Sequence, residues 1–234
     1  MPKKKLRKKS KSKGVISSSQ KELLILLAIA IVAIFIWNTL LIYPVKLLVV
    51  ILHEISHALV TIFTGGSVIA MNVSTNLAGG VTSEGGNEFL IASAGYLGSL
   101  IFGILIFFSA DNKKLNLWSS TIIAVLLLLF AANFFTNPVV IIFTIFYSAL
   151  FYAAPRYIPQ KINYWIMRTT GLISSMYVLF DIKEDLLTLA YKKNDAQQLA
   201  IITSVPAIVW GIIWFILTLT AFFFMIKFAY LKKR

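Results

Sequence analysis

The chain has no cysteine and only two histidines. Without thiols there is no disulfide and no thiolate metal site. Charge is scarce as well: 13% of residues are charged, against about 25% in an average soluble domain. Acids are the rarer sign, with 9 Asp and Glu against 22 Lys and Arg. With 59% hydrophobic residues and a mean hydropathy of +0.84, the composition excludes an ordinary soluble domain, although the length alone would allow one. No internal repeat exceeds a dipeptide, and no PDZ-like or other soluble domain is recognisable. Regulation is therefore expected from partners or from the chain's own basic tail.

Several apolar runs approach or exceed the ~20 residues that cross a bilayer. Residues 1–13, MPKKKLRKKSKSK, hold eight basic residues and no acid. A long apolar helix follows within ten residues. The tail is thus expected to lie on anionic lipid, with no nucleic acid as partner, and the positive-inside rule puts the N-terminus in the cytoplasm. The apolar stretch from Leu23 runs on to Tyr43 with no small-residue cleavage site, so it is expected to be a retained helix and not a signal peptide. This divides the chain into a basic cytoplasmic tail, 1–20, and a polytopic membrane domain, 21–234, with its core at about 45–190.

The expected fold is all-α and integral to the membrane, with six or seven transmembrane helices. Spans are expected at 23–43, 45–64, 88–110, 166–189 and 201–230. The region 117–153 forms either two short spans with a break at Asn137-Pro138 or one long kinked hairpin. Basic residues at both ends favour an even count. Residues 67–87 carry β-favouring residues and four glycines, which predict a small β-hairpin directly after the second span. In ASAGYLGS, Ala94 with Gly98 and Gly95 with Ser99 give the small-xxx-small spacing that lets membrane helices approach closely.

The two histidines, His53 and His57, are four residues apart and share one helix face. Glu54 adjoins the first, which completes HExxH: two imidazoles for zinc and a glutamate as general base. The motif lies inside an apolar run, VKLLVVILHEISHALVTIF, and ionisable groups at membrane depth are costly to keep without a function or a partner. Catalytic zinc usually has three protein ligands. With no third histidine and no cysteine, a carboxylate is expected as the third. The acids outside HEISH are Glu22, Glu84, Glu88, Asp111, Asp181, Glu184, Asp185 and Asp195. Asp181, Glu184 and Asp185 follow a long apolar run, and Asp181 lies deepest, directly after SMYVLF. It is the first choice. Asp185, one turn on along the same face, is the second, and acids simply solvated at a helix end are the alternative.

HEISHALVTIFTGG followed by SAGYLGS resembles the site-2 protease family of intramembrane zinc metalloproteases, closest to its small B-like branch. A weaker similarity extends through LFDIKEDL and NDAQQLA to PAIVWGIIW. The resemblance implies one zinc per chain on His53, His57 and Asp181, with Glu54 as the base. It further implies a transmembrane protein substrate and a multi-pass location in a prokaryotic cell membrane. The family's usual glycine before the second histidine is Ser56 here, and its longer aspartate-bearing N-x-x-P segment is reduced to Asn133 and Asn137-Pro138. Gly79 and Gly80 would allow an extended substrate to approach the hairpin, and Asn137 would hydrogen-bond it, unless it only breaks a helix. A catalytically inactive membrane scaffold and a metal-ion transporter are the rival functions; no inverted repeat of the kind transporters show is visible.

Overall fold

The computed structural model describes residues 17–187 and 194–231. Apolar runs become helices because lipid offers no partner for backbone N–H and C=O groups. Among the described residues there are eight: α1 (Ser18–Phe35), α2 (Tyr43–Phe63), α3 (Glu88–Ser109), α4 (Lys113–Asn133), α5 (Pro138–Tyr157), α6 (Gln160–Leu187), α7 (Asp195–Thr203) and α8 (Ala207–Leu231). Polar residues start most of them. Ser17 and Gln20 form a capping box on α1, and the side chains of Asn87, Asn112, Asn137 and Asn194 cap α3, α4, α5 and α7. The helices α2, α3, α4, α5 and α8 are each long and apolar enough to cross a membrane. The protein is a multi-pass, all-α membrane protein with one small sheet.

Two expected boundaries move, and one open alternative is decided. The first span does not run on to Tyr43: α1 ends at Phe35, turns follow, and α2 then starts with Pro44 in its first turn. The region 117–153 is two helices, α4 and α5, parted at 134–137. The last expected span, 201–230, is cut in two. Ser204 adopts a left-handed conformation (φ 59°), and Pro206 cannot continue a helix because it lacks an N–H. A short α7 is thereby separated from α8.

Helix α3 is the hub. A Cβ on its Gly98 would collide with Ser56 of α2, and one on Gly171 of α6 would collide with the α3 backbone at Gly103 and Phe107. These glycines permit the close helix crossings that small-xxx-small spacing implies. Contacts of Arg168 with Phe107, of Gly171 and Ser175 with Gly103, and of Val178 with Tyr96 lay α6 antiparallel along α3. Helix α6 is less apolar than the five spans because its buried face carries Arg168, Ser174 and Ser175.

Arg168 is fully buried. Its guanidinium donates to Asp111 Oδ1 (2.7 Å), the Tyr164 hydroxyl (3.1 Å) and the Phe107 carbonyl (3.2 Å), and lies 3.3 Å from Glu22 Oε1. The Tyr164 hydroxyl in turn donates to Glu22. The start of α1, the end of α3 and the start of α6 are thus tied together at one end of the bundle.

The expected hairpin is present as β1 (Ser67–Val73) and β2 (Gly79–Glu84), antiparallel, with Val73 opposite Gly79, Met71 opposite Val81 and an irregularity between Val68 and Ala70. Residues 134–136 lie parallel along the outer side of β1: Met71 N–H donates to Phe134 O (2.8 Å) and Thr136 N–H to Met71 O (3.1 Å). Both sides of β1 are therefore occupied, while β2 pairs only with β1 among the described strands.

Candidate metal centre

Helix α2 sets His53 and His57 one turn apart in its buried middle, with their Nε2 atoms 3.1 Å from one another. The His57 Nδ1 lies 2.7 Å from the Ile91 carbonyl of α3. A carbonyl only accepts, so the ring hydrogen sits on Nδ1 and the Nε2 lone pair faces the site. His53 is flanked by the Tyr96 ring, edge-on at 5.3 Å between centroids, and Tyr96 packs on Trp214 of α8 at 4.6 Å.

The carboxylate that completes the group is Asp195, the first residue of α7. Its Oδ2 stands 3.2 Å from each histidine Nε2. The same Oδ2 is buried and accepts no hydrogen bond. With its hydrogen on Nδ1, His57 has none to offer Oδ2. The two ring nitrogens and this carboxylate oxygen form a donor set of the kind a zinc ion takes.

Asp181 was the expected third ligand; the acid that the structure brings within reach of both rings is Asp195. Asp181 lies on α6, outside the triangle formed by His53, His57 and Asp195. The reason is tertiary. Ala196 and Leu199 of α7 bury against Ala92 and Tyr96 of α3, Val178 and Ile182 of α6, and Trp214, which carries the start of α7 onto the two rings. In the sequence the same stretch reads as a polar loop, YKKNDAQQ. The signal for it was Asn194 as a helix cap ahead of an apolar run. The side chain of Asp185, the second choice, lies outside the described residues, as does the basic tail before Ser17.

Glu54 is buried beside His53 on α2. A Cβ on Gly79 would fall onto its carboxylate, and a Cβ on Gly95 would fall onto both histidine Nε2 atoms. Glycine at these two positions therefore keeps space open at the glutamate and at the rings. Gly80 has nothing near its Cβ position. Asn137 is engaged within the protein: its side-chain oxygen accepts from Val139 N–H, and its Nδ2 donates to the Val73 carbonyl of β1 (3.0 Å). Ser56 Oγ donates to the Leu52 carbonyl (2.6 Å), and Gly98 leaves it room.

Residues 26–225 match the family described as Peptidase M50B-like. The chain belongs to that family. The match takes in α2, the hairpin, α3, α6 and Asp195. Neither the curated proteins nor the solved structures contain a match. The Peptidase M50B-like family is the B-like branch of the site-2 proteases, which implies zinc. The residues present fit that ion. Four-coordinate zinc with bonds of 2.0–2.2 Å holds neighbouring donor atoms ~3.3 Å apart, and the three donors here stand 3.1, 3.2 and 3.2 Å apart. In this M50B-like chain His53, His57 and Asp195 are the residues that would hold it.

Proposed function

We propose that the protein is an intramembrane zinc metalloprotease of the site-2 type, hydrolysing a peptide bond in or near a transmembrane segment of a membrane-protein substrate. The observation that carries this reading is the buried triangle of His53 Nε2, His57 Nε2 and the unbonded Asp195 Oδ2, with Glu54 adjoining it on α2. One zinc per chain would supply Lewis acidity toward the scissile carbonyl and make a water acidic enough to lose a proton near neutral pH. Glu54 would take that proton and pass it to the departing amine. Its place in the buried middle of α2, among Ile51, Leu52 and Ile55, holds the carboxylate still and keeps bulk water away.

A helical peptide bond is shielded by its own hydrogen bonds, so the substrate must be unwound. The free side of β2 is suited to receive it as an added strand. Gly79, against Glu54, and Gly80, with open space, admit a second backbone there. Asn137 supports that surface from behind by holding β1. The basic N-terminus is assigned to the cytoplasmic, anionic leaflet of a prokaryotic cell membrane.

Glu54→Gln tests the chemistry. The variant retains zinc and loses cleavage of a reconstituted transmembrane substrate by about 10²–10⁴-fold. Zinc-loaded wild type that cuts no membrane peptide would establish the inactive scaffold instead. Zinc uptake into proteoliposomes that persists in Glu54→Gln would establish a transporter.

A further inference from the structure

A second polar recess opens far from the metal centre, where α3 ends, α4 begins, α5 ends and α6 begins. From Gly95 it lies ~22 Å along α3, at 1.5 Å per residue. Its volume is about 100 Å³, and a water occupies ~30 Å³ of liquid, so it admits a few waters or one small polar group. The walls belong to the polar ends of three candidate membrane spans, the level at which lipid head groups lie.

Asn163 lines the recess and is 7% exposed. Hydrogen-bond direction there is fixed by a chain of neighbours. The Ser109 hydroxyl donates to the Ile106 carbonyl (2.7 Å), so Ser109 Oγ can only accept from Asn116 Nδ2 (3.2 Å). Asn116 Oδ1 therefore faces Asn163 and accepts from its Nδ2 (2.9 Å). The remaining atom, Asn163 Oδ1, is an acceptor, buried and without a partner.

The rim carries the opposite preference. Lys113 is exposed, and Arg156 is held over the Tyr152 ring at 3.8 Å by bonds to Tyr152 O (2.7 Å) and Thr121 Oγ1 (2.9 Å). Two cationic lining residues call for an anion, and the unpaired carbonyl oxygen of Asn163 calls for an N–H donor. A primary ammonium two carbons from a phosphate satisfies both at once. We propose that this recess binds the phosphoethanolamine head group of a membrane lipid, with the ammonium on Asn163 Oδ1 and the phosphate between Lys113 and Arg156.

The test is lipid binding to the full chain in detergent, counted by native mass spectrometry during titration with phosphatidylethanolamine, phosphatidylcholine or phosphatidylglycerol. Choline presents no N–H, and phosphoglycerol presents no ammonium. The expected result is at least about tenfold tighter binding of phosphatidylethanolamine than of either other lipid, the scale of one charge-assisted hydrogen bond. Asn163→Leu is expected to abolish that preference. Lys113→Gln, at an exposed site, is expected to weaken all three lipids and leave the preference intact. Equal binding of the three lipids overturns the proposal, and so does a preference that survives Asn163→Leu. Soluble phosphoethanolamine is expected to compete only at far higher concentration. Competition at equal concentration would overturn the lipid as the source of the head group.

Discussion

Ser56 and Gly98 are a matched pair. Serine stands where site-2 proteases usually carry glycine, and the extra Oγ occupies the space that a Cβ on Gly98 would need. Gly98→Ala should therefore destabilise the protein by about 1–3 kcal/mol, the range for overpacking. Adding Ser56→Gly should restore most of the loss, because the two changes act on one contact. Thermal unfolding of the single and double variants in detergent measures this; additive losses would show that the pair does not share space. At this scale the sequence is partly transparent. His53, Glu54 and His57 announce themselves, since HExxH is local and one helix turn fixes its geometry. Asp195 does not, because nothing between positions 57 and 195 states which acid will reach the rings. Depth in an apolar run favoured Asp181, whereas the acid beside the rings stands at a helix start.

Helix α7 is where sequence patterning and structure part. Residues 201–230 read as one apolar span, and only Pro206 hints at the break that frees α7 to turn back onto α3 and α6. By contrast α2, the hairpin and α3 follow the sequence closely: each has its own stop or start signal in Gly65, Gly85, Gly86 and the Asn87 cap. Trp214 couples the elements, because it packs in the same cluster as Leu199 of α7 and lies tilted against Tyr96, which flanks His53. Trp214→Leu should weaken zinc affinity about 10–100-fold, as loss of a ligand's supporting contact does. Competition with a chromogenic chelator measures it. Unchanged affinity in a folded variant would mean that α7 is held without this contact.

For the whole molecule, the Arg168 cluster and the contacts of α8 with α3 and α6 (Phe228 on Phe108, Met225 on Ser175) bring the start of α1 and the end of α8 to the same end of the bundle. Lys113, Lys114, Arg156 and Lys161 lie at that end as well, near the ends of their helices. Under the positive-inside rule this face is expected to be the cytoplasmic one. The absence of native cysteine allows a clean test. In intact cells an impermeant maleimide should label Glu84→Cys, at the other end, and spare Lys114→Cys until the membrane is opened. The reverse pattern would invert the orientation. The buried ionic cluster itself was invisible in the sequence, where Glu22, Asp111 and Arg168 look like unrelated interface charges.

The metal content of three purified proteins tests the central claim most directly. Wild type and Asp181→Ala should each carry about one zinc per chain after detergent purification, and Asp195→Ala should carry little or none. Zinc retained by Asp195→Ala and lost from Asp181→Ala would contradict the assignment of His53, His57 and Asp195 as the metal-holding set.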